Sequence, residues 1–598
     1  MESWFQLWFA LGIFDSWVQS ALVPISLYIL ISGLDDLVVA VVALASRRKS
    51  ARIPNAEFTK EEERLIAILL PLWKEADVVT GMVEHNLAAI DYTNYVIFAG
   101  VYPNDPETVR AVRALAVRFP RVQVTVCPHG GPTSKADCLN WIYRGIQEYE
   151  SRHNVRFEVL VTHDAEDLIH PQSLRILNHY TARYDMVQIP VLPLATPWND
   201  LTHGVYCDEF AEYQLKDAIA RQTMGAFLPS NGVGTGYRRD ALDRLAAQSG
   251  GCIFNPECLT EDYENGLRLH QLGCSQLFVP VAFGNGAPVA TREYFPRTFR
   301  QAVRQRKRWI TGNALQAWRR HGWGRGVVQR YWLWRDRKGL IGNPVSALTN
   351  LISLYGFLSL LWSLFSGRPW MLFQVDFGPL LLAAFALQSV SLSARIYCVY
   401  RIYGLACAVG TPARAVWANL INSVATVAAI WRFAHSCLTG QPLAWTKTAH
   451  VYPSPAILAS HKRSIEDVLV SEGYISAEEL EKARGSLAEE SSLAAHLIET
   501  GKLNEEDYYE ALSIQQNIPL TRVLPSQVSR RIARSLPARV AREFRLLPIQ
   551  VTEGRLWVGG PAIPDERTLA ALRRFTRLEI RFGLLTQSNF EELAKELL

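Results

Sequence analysis

The sequence predicts an α/β domain flanked by membrane-crossing helices and followed by a small α+β domain. Three observations predict it: short apolar strand candidates alternate with helical stretches between residues 65 and 323, long apolar runs lie on either side, and an internal repeat begins near Ser464. At 598 residues the chain exceeds one ordinary domain, and its length suggests about three to four folding units. An apolar fraction of 49% with mean hydropathy +0.02 is high for a wholly soluble enzyme, while 20% charged residues is high for a polytopic transporter. That balance fits a soluble catalytic domain tethered by a few spans. The net charge of +5 is mild and no basic stripe is interleaved with aromatics, so nucleic acid is not an expected partner. The nine cysteines show no paired CxxC spacing, which argues against structural zinc or a disulfide framework and for a reducing, cytosolic setting.

Taken in order, Met1 to Phe14 is apolar and tryptophan-rich without a basic leader or cleavage site, and reads as an interfacial helix rather than a signal peptide. Val18 to Ala45 exceeds the roughly 20 apolar residues that cross a bilayer. It ends in Arg47, Arg48, Lys49 and Arg52, so the positive-inside rule puts the next domain in the cytoplasm. Asp35 and Asp36 inside this span are expected at a helix–helix contact with one or both protonated, because no basic partner stands nearby in the sequence. Strands are expected at Leu65 to Leu70, Tyr95 to Ala99, Val122 to Cys127, Phe157 to Thr162 and Met186 to Leu192. Ligands should gather at their carboxyl ends. Two further spans are expected at Pro344 to Phe365 and Phe377 to Leu392, whereas Ala415 to Phe433, which carries Asn419, Asn422 and Arg432, reads as lying in the interface. Two spans after the catalytic domain keep the C-terminus cytoplasmic. The expected domains are 1–52, 53–325, 326–455 and 456–598.

In the tail, Ile465, Gly473, Ile475 and Ala483 recur 28 residues later as Leu493, Gly501, Leu503 and Ala511. Each copy reads as a helix ended by glycine, then a second helix begun by Ser476 or Asn504 and acidic residues. Short strands and helices follow Pro519, giving a compact regulatory or docking domain.

Three runs carry chemistry. His163-Asp164-Ala165-Glu166-Asp167 follows the fourth strand, and carboxylates there can hold a hard divalent cation, magnesium or manganese, against a diphosphate. Thr260-Glu261-Asp262 opens a helix, where an acid pair serves either as a general base or as a favourable partner of the helix dipole. In Gln305-Arg306-Lys307-Arg308-Trp309 the cations suit a diphosphate and the indole suits a sugar face, or the run is a basic interfacial helix. The glycines of Asn231 to Gly236 would let the backbone approach a sugar closely, but no strand-turn-helix unit surrounds them as in a dinucleotide fold.

These runs, in this order and spacing, resemble the DxD, TED and QxxRW elements of family 2 glycosyltransferases, which have the GT-A fold. The resemblance implies an inverting transfer with Asp262 as general base and Glu261 holding the acceptor or capping the helix. It implies a metal held by Asp164 and Glu166, the glutamate standing where the second aspartate is usual, with Asp167 beside it as an alternative. Pro71 to Glu75 resembles the nucleotide-binding entrance, which implies Glu75 and Asp105 near the uracil or ribose of a UDP-sugar. Gly131 to Ala136 resembles the segment whose lysine, here Lys135, lies near the donor. Gln305, Arg308, Trp309 and Gly234 then face diphosphate and acceptor.

The tail is similar to the MshEN domain of type II secretion and pilus ATPases, whose tandem motif binds cyclic di-GMP. That implies a regulatory ligand near Arg463, Gly473 and Gly501. The motif's usual opening Arg-Leu-Gly reads Ser464-Ile465-Glu466 and Ser492-Leu493-Ala494 here, so the motif arginine is absent from both copies and Lys462 and Arg463 stand slightly early in the first. The whole arrangement resembles the bacteriophage N4 adsorption protein B group of bacterial inner-membrane glycosyltransferases. It implies transfer of a hexose or N-acetylhexosamine from a UDP-sugar to a glycan or polyprenyl-lipid acceptor for a secreted polysaccharide, with an export partner in the periplasm or outer membrane. The alternatives are a single-sugar polyprenyl-phosphate transferase and a non-catalytic membrane scaffold or phage-receptor component.

Overall fold

The structure is a computed structural model that describes residues 2–47, 61–281, 283–284, 287–367, 370, 378–443, 465–471, 473–485, 493–516, 520–552, 555–564, 568, 571–572, 574–576 and 578–598. It divides into two compact units, Met1–Met82 with Tyr92–Pro453 and Val83–Asp91 with Ser454–Leu598.

The first unit opens with α1 (Glu2–Arg47), one continuous helix in which the expected interfacial stretch and span run together. The central sheet has the order β3-β2-β1-β4-β7-β5-β8. Its parallel core is β1 (Ile66–Pro71), β2 (Tyr95–Val101), β3 (Val122–Val126) and β4 (Val159–Thr162). The inner strands are apolar on both faces, as a sheet covered on both sides requires. The chain winds outward from β1 to β2 and β3, then returns to β4 on the other side of β1. The crevice at the carboxyl ends of β1 and β4 is therefore the topological switch point at which such sheets bind ligands. The connecting helices are α2 (Ala76–Ala89), α3 (Pro106–Arg118) and α4 (Lys135–His153). Apolar residues of α4 at helical spacing, Leu139, Ile142, Tyr143 and Ile146, pack on Leu69 and Phe98 of the sheet. Gly100 on β2 lets that helix close in, since a Cβ there would stand 2.7 Å from Cys138.

After α5 (Ser173–Thr181) the expected strand at Met186 to Leu192 is two strands, β5 (Met186–Gln188) and β6 (Val191–Pro193). Pro190 between them has no N–H to continue the ladder. The chain continues through α6 (Leu201–Glu212), a π-helical turn at Tyr213–Asp217 and α7 (Ala218–Thr223) to β7 (Thr235–Arg238), which was not expected from the sequence and inserts antiparallel between β4 and β5. Next come α8 (Arg239–Gln248), α9 (Glu261–Gln271), β8 (Gln276–Phe278), the short pair β9 (Phe283–Gly284) and β10 (Ala287–Pro288), and β11 (Thr291–Glu293), which pairs with β6. Then follow α10 (Phe299–Trp309), a π-helical turn at Ile310–Gln316, α11 (Ala317–His321) and α12 (Val327–Arg337).

Among the described residues four helices are long and apolar enough to cross a membrane: α1 over Phe14–Ser46, α13 (Gly339–Ser366), α14 (Gly378–Tyr403) and, after the short α15 (Leu405–Val409), α16 (Thr411–Thr439). The last meets the length and hydropathy of a span where the sequence suggested the interface. It nevertheless follows the catalytic domain along its length, from Arg414, which bonds Asp208 of α6 at 2.7 and 2.8 Å, to Cys437, 3.5 Å from Arg319 of α11. Asp35 and Asp36 correct the expectation of a protonated pair. Asp35 bonds Arg335, Lys338 and Tyr331, and Asp36 lies 2.9 Å from Arg335 and 3.1 Å from Lys338. The cations are about 300 residues away in sequence, and paired charges need no proton to be buried.

In the second unit the repeat forms helices at Ile465–Ser471 and Ala477–Gly485, then at Leu493–Glu499 and Glu505–Gln516. Gly473 and Gly501 take φ of +80° and +67° and end the first helix of each copy. Leu469 O accepts from the N–H of Tyr474 and Ile475, as Leu497 O does from Lys502 and Leu503. Ser476 and Glu479 form a capping box at 3.2 and 3.1 Å. Leu469, Ile475, Ala483, Leu497, Leu503 and Ala511 share one core. A three-stranded sheet follows, β12 (Leu547–Thr552), β13 (Arg555–Gly560) and β14 (Glu579–Leu584). Arg463 lies outside the described residues, as do most of the basic cluster after α1 and the openings of both repeat copies.

Candidate active site

A cleft forms where β1, β2, β3 and β4 end. Glu75, Tyr102, Thr133, Lys135, Asp164 and Glu166 all line it. The turn after β1 is held from behind. Lys74 takes φ +56° and donates its N–H to Asp105 at 2.6 Å, Asp105 also accepts the N–H of Thr108 at 3.4 Å, and the Thr108 hydroxyl accepts the N–H of Glu75 at 3.0 Å. Asp105 thus caps α3 and fixes the turn that carries Glu75 rather than lining the cleft itself. Trp73 closes one side, its ring edge-on to Tyr102 at 5.3 Å. A Cβ on Gly131 would stand 2.7 Å from that indole, so glycine is needed there.

Lys135 opens α4 behind the Ser134 cap and places its ammonium 2.6 Å from Asp164. Burial alone would lower its pKa, but the carboxylates of Asp164, Glu261 and Asp262 outweigh that and hold it well above the ordinary lysine value. The ammonium thus pairs directly with Asp164 and also feels the charge of the acid pair of α9. Glu166 and Asp167 are placed differently. Asp167 is fully buried and its Oδ2 lies 2.7 Å from His163 Nδ1 and accepts the Asp164 N–H at 3.0 Å, so it folds the turn. Burial pushes it up to about 6 against the pull of His163. Glu166 lines the cleft. Glu293, at the end of β11, was missed by sequence reasoning. Burial, then the charges of Glu166, Asp167 and Asp164, push it well above the carboxylate range. The pairing of β11 with β6 and the backbone bridge between Arg292 and Leu168 bring it here, and nothing in Thr-Arg-Glu-Tyr marks it. Among the described residues no three His, Cys, Asp or Glu side chains converge at metal-binding distance.

At the start of α9, the Thr260 hydroxyl makes no cap bond. Glu261 is buried, and burial followed by the charge of Asp262 pushes it up to about 7, with Lys135 opposing. Burial raises Asp262 as well, against Lys135 and the Tyr263 N–H that Asp262 accepts at 2.8 Å. Gly232, rather than the expected Gly234, is the glycine beside this carboxylate. With φ +80°, it would put a Cβ 2.7 Å from Asp262 Oδ2. Gly234 is glycine because a Cβ would stand 2.5 Å from the Thr291 hydroxyl.

The Gln305 to Trp309 run divides by direction. Arg306 points inward, 2.7 Å from Glu209 and 2.6 Å from Asn422, over the ring of Tyr206, which accounts for Asn422 in the apolar α16. Arg308 donates to Leu259 O at 3.1 Å. The buried Gln305 Oε1 and Arg308 Nε have no hydrogen-bond partner among the described residues. Trp309 sits among Tyr206, Phe210 and Phe295 at centroid distances of 6.0 to 6.4 Å. The π-helical turn after it docks on the acid motif. Gly312 meets Thr260 with no room for a Cβ, and Gln316 accepts the Leu259 N–H at 3.1 Å. Glu264 of α9 is anchored to His321 at 2.9 Å and Arg320 at 3.2 Å.

Beyond Asp262 lies a second cavity of about 430 Å³ that reaches Arg395 on α14. Six carboxylates line it: Glu209, Glu212, Asp217, Asp262, Glu293 and Asp336. Its two arginines are engaged, Arg221 with Asp336 at 2.8 and 2.9 Å and Arg395 with Glu212 at 2.6 Å.

Residues 63–312 match the model for glycosyltransferase like family 2, and residues 516–598 match the MshEN domain. Every residue expected to touch donor or acceptor falls in the first match. The second begins after the helical repeat, leaving Gly473 and Gly501 outside it. The chain is 34% identical over 616 residues to the bacteriophage adsorption protein B of Escherichia coli strain K12, covering 96% of this chain and 81% of that one. The bacteriophage N4 adsorption protein B of Escherichia coli O157:H7 matches at the same identity and coverage. A solved mannosyltransferase from Pyrobaculum calidifontis, in complex with GDP-mannose and Mn2+, is 13% identical over 71% of this chain and 99% of its own, with a TM-score of 0.39.

Proposed function

Since the chain belongs to the bacteriophage adsorption protein B family and carries a family 2 glycosyltransferase domain of the GT-A fold, we propose that it is an inverting transferase moving a hexose or N-acetylhexosamine from a UDP-sugar to a glycan. The observation that carries this reading is the position of Asp262, in the acceptor cavity and coupled through Lys135 to Asp164 in the donor cleft. An acceptor hydroxyl attacks the anomeric carbon, its proton passes to Asp262, and the bond to the diphosphate breaks on the opposite face with its electron pair leaving on the nucleotide. Configuration inverts. Asp164 and Glu166 would hold Mg2+ or Mn2+, with diphosphate and water completing the oxygen shell, and the ion would neutralise the departing charge. Lys135 adds a fixed positive charge beside them.

The charge of the acceptor cavity favours a sugar hydroxyl over a polyprenyl phosphate. Both arginines are already paired, and a phosphate nucleophile needs no base. With α16 lying along the catalytic domain rather than crossing the bilayer, two spans follow that domain, and the reading extends to a bacterial inner-membrane enzyme with cytoplasmic catalytic and C-terminal domains, building a secreted polysaccharide with a periplasmic or outer-membrane export partner. Cyclic di-GMP would act through the tail near Arg463, Gly473 and Gly501, despite the missing motif arginines.

The test is turnover of a UDP-sugar panel by detergent-purified protein with Mg2+ or Mn2+, offered an oligosaccharide or a polyprenyl phosphate, with and without cyclic di-GMP. Transfer to the oligosaccharide, raised by cyclic di-GMP, is expected. Transfer only to the lipid phosphate would overturn the acceptor assignment, and no turnover of any sugar would point to a scaffold.

A further inference from the structure

The second unit is electrically split. From Ile465 to Gln516 the sequence has three lysines and arginines against thirteen acids, whereas from Leu520 to Arg581 it has thirteen arginines, no lysine and five acids. We propose that this arginine-rich half docks on the anionic lipid surface of the membrane that the chain's own apolar helices enter. The proposal rests on the membrane reading of those helices and is independent of which sugar is transferred.

Four of these arginines, Arg530, Arg531, Arg539 and Arg542, are exposed and make no ion pair or side-chain hydrogen bond among the described residues. Arg522 and Arg534 are by contrast engaged, with Glu506 at 3.2 Å and Leu597 O at 3.3 Å. Guanidinium groups bind phosphate with two parallel hydrogen bonds and shed water more readily than ammonium groups, which suits a headgroup layer. Two large apolar side chains stand exposed beside this charge, Phe575 at 47% and Leu578 at 37%. Leu572 packs with Leu536 and Leu546, which brings Arg574 and Phe575 next to the arginine-bearing segment 536–546. Cations flanking exposed phenylalanine and leucine are what an interfacial surface presents to lipid.

The tether supplies the other half of the argument. The end of α16 and the first helix of the tail are separated by residues 440–464, a length that reaches at most about 90 Å when fully extended. The domain therefore cannot leave the neighbourhood of the bilayer, and docking is an intramolecular event at high effective concentration. The acidic repeat half would be repelled by the same surface, so docking also orients the unit.

The test is hydrogen exchange of the full-length protein in nanodiscs of phosphatidylcholine alone or with phosphatidylglycerol. Residues 520–545 are expected to exchange at least about fivefold more slowly with the anionic lipid, an effect lost in high salt. It should also be lost in the Arg530→Ala, Arg531→Ala, Arg539→Ala, Arg542→Ala variant. Equal exchange in the two lipids would overturn the proposal, and the wild-type comparison stands even if the variant misfolds. So would the same protection produced in detergent by inorganic phosphate or cyclic di-GMP, which would mark a small-anion site instead.

Discussion

The strand-end cleft, the proposed donor site, is assembled from four short segments in the connections after β1 to β4, whereas the cavity proposed for the acceptor draws on residues from Val191 to Arg395 carried by strands, helices and a π-helical turn. In the cleft every functional side chain lies in the connection that follows its strand or at the start of the next helix, so spacing along the chain and position in space agree. In the cavity the agreement fails. Glu293 arrives through a three-residue strand pairing, Arg395 from an apolar helix, and Asp336 from beyond the catalytic motifs. The difference teaches that a nucleotide-binding edge is written locally, while the acceptor is received by tertiary structure.

The largest expected effect sharpens this contrast at the residue joining the two sites. Lys135→Met removes the cation shared by Asp164, Glu261 and Asp262, and kcat/KM should fall by about 10²- to 10³-fold. A carboxylate base must be deprotonated, and burial already raises Asp262, so on the proposed mechanism wild-type activity should rise with pH above the usual carboxylate range. Losing the opposing cation raises the acid pair further, so the acid limb of the pH–rate profile should move to higher pH. An unmoved limb would uncouple the two sites.

Arg306→Met tests whether the cavity depends on α16. It leaves Glu209 and Asn422 without their shared donor, and with Glu209 partly solvated the loss of stability should be about 2 kcal/mol. A denaturation midpoint in detergent reads it. Trp309→Ala should raise acceptor KM about tenfold while sparing donor binding, since the indole lies in the cavity and not the cleft. Equal loss of both would mean that the division between the sites is wrong. The smallest effect belongs to the tail, where Ser476→Ala should quicken hydrogen exchange at the start of the 477–485 helix and leave turnover unchanged.

Much of the cleft was legible beforehand because carboxylates, glycines and a capped lysine follow apolar strands at fixed offsets. Glu75, Lys135, Asp164 and Glu166 come together in one cleft. The repeat was legible for a similar reason, since Gly473 and Gly501 mark the same left-handed turn twice. What stayed hidden depended on distant partners. Asp35 and Asp36 looked unpaired because Arg335 and Lys338 lie about 300 residues away. Arg306 and Arg308 look alike in sequence, and only the direction in which α10 packs turns one into a structural tie and leaves the other beside the acid motif.

The most direct measurement is the Asp262→Asn variant, followed for UDP-sugar binding and for transfer in the same preparation. With Asp262 as the base between an intact cleft and an intact cavity, transfer should fall by about 10³-fold while donor affinity stays within about twofold. Transfer near the wild-type rate, or a donor affinity that collapses along with it, would contradict that assignment.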